Sequence, residues 1–267
     1  LEAAFKAFLV TAGRRRGFDL QARSQVFDDS PDFEAAIRDG RVQLAIIPSW
    51  DYLTMNLRDF ADTCFVAEDQ QGILEEYLVL TRKDAGLRSM ADLRGKSVTV
   101  LESVNTYLSW PWLETLLHQH QLGSPGKYFG RIEKVAKASS AVLPVFFGTH
   151  QACVVDRAAF DIMKELNPQI GQRLQVMLVS PPLLDAVVCL SKSGWIGPEH
   201  KEATSLGLAE LDTEPAGQQI LALFKVRKIA PFKPEYLESV KKLRAAHDRL
   251  AEAAKSGAST SARPSAE

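Results

Sequence analysis

Residues 81–100, TRKDAGLRSMADLRGKSVTV, decide how this chain is read. They close the apolar run of residues 76–83 (EYLVLTRK), which has the β-branched and aromatic content of a strand. Gly86 breaks that run, residues 89–94 predict a short helix stopped by Gly95, and residues 96–101 (KSVTVL) predict the next strand. A strand, a short helix and a second strand within so few residues belong to an α/β layered fold rather than to a bundle or a sandwich.

The pattern continues in both directions. Downstream, a polar turn opens a helix through WPWLETLLHQH, residues 132–135 predict a strand, and residues 140–147 predict a helix ended by Gly148. Residues 151–155 predict a strand that runs straight into Asp156. Two late strands, 174–179 and 186–191, flank the break Ser180-Pro181-Pro182, and from there to about residue 254 the chain reads as mainly helical. Upstream, residues 41–48 (RVQLAIIP) are a short apolar run of the buried parallel type, followed by SWDYL as a loop leading into a helix. Ser30 and Pro31 suit the start of a helix over 32–39. Residues 18–27 predict a strand and residues 1–12 an amphipathic helix. Alternation of this kind predicts a mostly parallel sheet, with ligands at the carboxyl ends of its strands. On that rule Ser49, Trp50, Asp51 and Tyr52 lie at a binding rim. Residues 255–267, small, polar and Pro-containing, predict an unstructured tail.

With 32 basic and 33 acidic residues the net charge is −1, so no global field recruits nucleic acid or an anionic membrane. No apolar run approaches the roughly 18 residues a membrane span needs. Cys64, Cys153 and Cys189 sit in apolar runs without metal-ligand spacing and read as buried thiols. The five histidines are scattered, and no Gly-rich phosphate loop, nucleophile elbow or HExxH helix occurs, so neither a metal nor a cofactor is expected.

Arg82-Lys83-Asp84, Asp92-Leu93-Arg94-Gly95-Lys96, Val154-Val155-Asp156 and Ser180-Pro181-Pro182 together follow the order and spacing of a known pattern. The chain resembles the periplasmic phosphate, phosphite and phosphonate-binding family of ABC transporters over roughly residues 1–240. The resemblance implies the two-lobed type II periplasmic-binding-protein fold, with crossing strands and a ligand cleft between lobes. It assigns residues 1–80 to the first part of lobe 1, 81–185 to lobe 2, 186–250 to the return into lobe 1 with the C-terminal helices, and 251–267 to the tail. The family begins with a strand before its first helix, so that strand is expected to be missing here. No signal peptide precedes residue 1, and a removed export signal or a cytoplasmic chain both fit this.

The strongest site candidate is the turn Ser103-Val104-Asn105-Thr106, because a helix N-terminus with a hydroxyl beside it favours anions. The family grips phosphonate oxygens with a Ser-Thr-Ser-Gly turn. Alignment on Pro111 places Val104, Asn105, Thr106 and Tyr107 there, so only Thr106 keeps a hydroxyl in register. Ser103 and Asn105 equally suit a plain helix cap. Ser49, Trp50 and Tyr52 offer a hydroxyl and two aromatic faces. Asp156 offers a carboxylate to an amine or caps its helix, and Glu75 and Glu76, at the start of the crossing strand, would repel a phosphonate.

The resulting expectation is a non-enzymatic, extracytoplasmic solute-binding protein that works as a monomer with a membrane permease and binds a phosphonate-like or diverged ligand through Ser49, Trp50, Tyr52, Ser103, Asn105, Thr106, Tyr107 and Asp156. A ligand-sensing domain of a signalling protein and a cytoplasmic biosynthetic enzyme on the same fold are the alternatives.

Overall fold

The computed structural model describes residues 30–55, 57–103 and 106–260, together with residues 6, 10, 13, 17, 18 and 21–27; the side chains of residues 251–260 are not described. Most of the helix expected over 1–12 lies outside the described residues, although residues 6, 10 and 13 are helical. The chain divides into two units, Leu1–Leu74 with Ala186–Tyr236, and Glu75–Asp185 with Leu237–Glu267.

In the first unit, helix α1 (Ser30–Arg38) buries Phe33, Ala36 and Ile37, residues spaced to share one face, and carries Asp32 in its first turn and Arg38 in its last. It ends on Gly40 at φ +69°, where a Cβ would meet the Gly194 backbone at 2.9 Å. Strand β1 (Leu44–Pro48) runs directly into the single turn α2 (Ser49–Tyr52). The sheet has the order β1-β8-β2-β9, where β2 is Ala61–Glu68, β8 Ala186–Ser191 and β9 Lys228–Pro231. Helices α8 (Pro198–Ala209) and α9 (Pro215–Leu223) complete this unit, and Leu208 joins Phe65, Val188 and Leu190 in a small core.

Every paired neighbour in this sheet is antiparallel, which overturns the parallel sheet expected around residues 41–48. The cause is β8: it returns from the other unit and inserts between β1 and β2, so both meet a reversed neighbour. Residues 18 and 21–27 form no strand. Val26 is 87% exposed, and this segment has no buried face to set a register.

The second unit holds the five-stranded sheet β5-β4-β6-β3-β7. Its strands are β3 (Tyr77–Arg82), β4 (Ser97–Leu101), β5 (Arg131–Val135), β6 (Ala152–Asp156) and β7 (Leu174–Val179). Strand β4 is parallel to β5 and β6, whereas β3 is antiparallel to β6 and β7. All five residues of β6 are buried, as an unbroken apolar run in the middle of a sheet requires. Helices α3 (Ser109–Gln119), α4 (Pro125–Tyr128), α5 (Ala138–Phe146), α6 (Arg157–Leu166) and α7 (Pro168–Arg173) surround the sheet. Leu78 and Leu80 of β3, Val142 and Phe146 of α5, and Phe160 of α6 belong to one core.

The last helix, α10 (Glu238–Thr260), belongs with this second unit and not with the first, as the sequence had suggested. The reason is packing: Val240 is fully buried, and His247 Nε2 lies 3.4 Å from Glu114 Oε2 on α3. The helix also continues through residues 251–260, which were expected in an unstructured tail; residues 261–267 lie outside the described residues. Among the described residues no helix is long and apolar enough to cross a membrane.

Candidate functional site

The carboxyl ends of the adjacent parallel strands β4 and β6 carry the groups best placed for recognition. After β4 the chain turns through Ser103 and Thr106 into α3. The Ser103 N–H donates to Thr106 Oγ1 at 2.7 Å, and the Thr106 N–H donates back to Ser103 O at 3.0 Å. Thr106 is 2% exposed, so the hydroxyl expected to face a ligand is turned inward and holds the turn together. Ser109 is fully buried and its hydroxyl lies 2.9 Å from both Leu101 O and Thr106 O. Tyr107 is 41% exposed and Ser103 is half-buried, while Asn105 lies outside the described residues. The N-cap position of α3 is Leu108 and no side-chain bond caps the helix there, so Ser103 is not its cap.

Asp156 ends β6 and caps α6, its Oδ1 accepting from the Ala159 N–H at 2.6 Å. That is the ordinary reward for a carboxylate at a helix start. Opposite it in register stands Tyr77 of β3, fully buried, whose ring centroid lies 6.3 Å from that of Trp112 on α3. The Tyr77 hydroxyl donates to Asp185 Oδ1 at 2.9 Å. Burial pushes the Asp185 pKa up to about 6, with the charge of Asp156 acting in the same direction. Burial, reinforced by Asp185, Glu75 and Asp156, holds the Tyr77 phenol well above its usual value.

The acidic pair at the start of β3 is not left to repel a ligand freely. Glu76 Oε2 meets Arg157 Nε at 2.5 Å, and Glu75 Oε1 accepts from the Arg157 N–H at 3.1 Å. At the other side of the turn, Lys134 Nζ lies 2.8 Å from Glu102 Oε2 and 4.1 Å from the Trp110 ring centroid.

In the first unit, Ser49 is fully buried, because it opens α2 directly behind β1. It therefore does not sit at the rim expected of it. Trp50 and Tyr52 are half-buried. Thr63 donates to the Tyr52 hydroxyl at 2.7 Å and in turn faces the Cys189 thiol at 3.7 Å, fixing the Tyr52 ring. Sequence reasoning singled out the β4–α3 turn and Asp156 but missed Asp185. Its signal was a single carboxylate inside the apolar run LLDAVVCL.

The sequence profile described as ABC transporter, phosphonate, periplasmic substrate-binding protein matches residues 7–237. The chain belongs to this family. It is thus a substrate-binding component of an ABC transporter rather than an enzyme, with a small-molecule ligand, a membrane permease as partner and an extracytoplasmic place of work. This membership favours the solute-binding role over the sensory and biosynthetic alternatives. A comparison with curated protein sequences returned no match.

Solved structures agree on the fold. A Xanthomonas citri protein bound to ATP shares 16% identity at a TM-score of 0.69, covering 94% of this chain and 94% of that one. PhnD1 from Prochlorococcus marinus in complex with methylphosphonate shares 14% identity at 0.63, covering 90% and 89%. A binding protein component of an ABC phosphonate transporter from Pseudomonas aeruginosa shares 16% identity at 0.59, covering 97% and 94%. These likenesses establish the type II periplasmic-binding-protein fold, and at such identities they leave the ligand undecided.

Proposed function

We propose that this family member captures its solute through Trp50 and Tyr52 of the first unit and through Ser103, Asn105, Tyr107 and Asp156 of the second, with buried Ser49 and Thr106 supporting them. The two units serve as the two lobes of the family fold. The carrying observation is Tyr107: an aromatic residue left 41% exposed on the turn after β4. An aromatic face next to hydrogen-bonding groups is the usual make-up of a small-molecule site. The protein works as a monomer in the periplasm, without nucleic acid.

A thermal-shift screen against phosphate, methylphosphonate, ATP, amino acids, polyols and small amines tests this reading. A true solute at about one hundred times its dissociation constant adds about 2.7 kcal/mol of stability. Loss of that shift in Trp50→Ala and Tyr107→Ala supports the assignment. A panel without any saturable shift sinks it.

A further inference from the structure

Building on this solute-binding reading, we propose that Thr63 is a positioning residue for Tyr52: by giving its hydroxyl proton to the phenol oxygen it makes Tyr52 a hydrogen-bond donor, so that the solute end met by Tyr52 carries an acceptor oxygen and not an ammonium group.

The contacts that carry this lie wholly within the first unit. Tyr52 closes the single turn α2 behind β1 and is half-buried, so part of it stays open to solvent. Thr63 Oγ1 donates to Tyr52 Oη at 2.7 Å, and the Cys189 thiol donates to Thr63 Oγ1 at 3.7 Å. Three features fix the direction of this relay. First, Cys189 is buried, and burial pushes its pKa up to about 11, so at neutral pH it keeps its proton and stands behind Thr63 as a donor. Second, a thiol sulfur is a weak acceptor, so the Thr63 proton goes to the phenol oxygen, the better one. Third, among the described residues Thr63 is the one hydrogen-bond partner of Tyr52 Oη. A phenol that accepts from Thr63 still has its own O–H to give. It suits a solute oxygen, whereas an ammonium group brings donors only to an oxygen whose in-plane lone pair is already engaged. The backbone supports the same assignment. Strand β2 slips register between Thr63 and Phe65, while Thr63 stays directly opposite Cys189 of β8. Bulges of this kind re-aim a side chain and are frequent beside functional sites. Valine would suit the same β-branched strand position, so what Thr63 adds is its hydroxyl.

The test combines NMR and calorimetry on the parent chain, Tyr52→Phe, Thr63→Val and Thr63→Ser. With 13Cζ-labelled tyrosine and no solute, the Tyr52 resonance, assigned by its absence in Tyr52→Phe, should move in Thr63→Val and return towards the parent position in Thr63→Ser. Titration uses glycine, phosphate, methylphosphonate and ATP as probes that carry acceptor oxygens, and methylammonium as a probe with donors alone. At least one of the first four should bind the parent saturably, at least about fivefold more weakly in Tyr52→Phe and Thr63→Val, and within about twofold of the parent in Thr63→Ser. Methylammonium should give no saturable heat. A Tyr52 resonance unmoved in Thr63→Val overturns the proposal without reference to any solute. Equal affinity in the parent and Tyr52→Phe overturns it as well. So does a parent that binds methylammonium, or one that ignores all four acceptors while another compound of the panel binds; each of these leaves the solute-binding reading intact. If Thr63→Val fails to fold, Tyr52→Phe and methylammonium decide. A parent that binds nothing in the wider solute panel removes the solute-binding reading, and this inference with it.

Discussion

The Tyr77 hydroxyl donates to Asp185 Oδ1 at 2.9 Å across 108 positions of sequence, tying the first residue of β3 to the last residue before β8. The same two segments are joined again by paired bonds between Glu75 and Leu183, and by Ser180, whose hydroxyl accepts from the Tyr77 N–H at 2.8 Å. The points where the chain first enters and then leaves the second unit are therefore stitched side by side.

Tyr77→Phe removes the hydroxyl and keeps the ring against Trp112. Hydrogen bonds to charged groups are worth roughly 1.5–3 kcal/mol, so urea denaturation at neutral pH should show a loss in that range. A loss below about 0.5 kcal/mol would mean that water replaces the phenol without cost.

The raised pKa of Asp185 gives a pH-dependent prediction. Its folded-state value is about 6 against an ordinary 3.8, so between these values the folded chain holds the proton more tightly than the unfolded chain. The carboxyl is thus most favourable at acid pH and becomes a penalty as pH rises through about 6. The Tyr77 hydroxyl is bonded to it, and the charge of Asp156 acts on it in the same direction as burial. Asp185→Asn cannot ionise, so its stability relative to the parent should grow by at least about 1 kcal/mol between about pH 4 and about pH 7.5. A difference that stays flat, or shrinks, contradicts the placement of this charge.

Asp156 has two proposed roles that separate experimentally. Asp156→Ala loses the cap of α6 and should cost about 1 kcal/mol, with faster hydrogen exchange confined to the first turn of that helix. Solute affinity should fall by more than this loss of cap accounts for. Unchanged affinity would leave Asp156 a cap and nothing else.

Leu80, fully buried in the core of the second unit, provides a control remote from recognition. Leu80→Ala should destabilise by roughly 2–5 kcal/mol through lost burial and the cavity left behind. Binding measured well below the lowered midpoint should be unaffected.

Much of the second unit was legible because its strands are unbroken apolar runs between clear stops. The strand expected over 174–179 matches β7 residue for residue, as the one expected over 186–191 matches β8 of the first unit. The first unit was harder. Strand β2 (ADTCFVAE) mixes Asp62, Thr63 and Cys64 and slips register between Thr63 and Phe65, which destroys the alternation that betrays a strand. Strand β9 is only four residues long and ends on Pro231. The antiparallel pairing of β1 depends on a partner some 140 positions away, which local pattern does not encode. In the site, the turn after β4 and the cap at Asp156 followed from local sequence. The burial of Thr106 and Ser49, and the meeting of Tyr77 and Asp185, arise only from tertiary packing.

The most direct test of the whole account is calorimetric titration of the strongest hit from the solute screen into the parent chain, Trp50→Ala and Tyr107→Ala. One-to-one binding by the parent, weakened at least about tenfold in each variant and with the compound recovered unchanged, is the predicted result. Unaltered affinity in both variants, or conversion of the compound into a product, would contradict it.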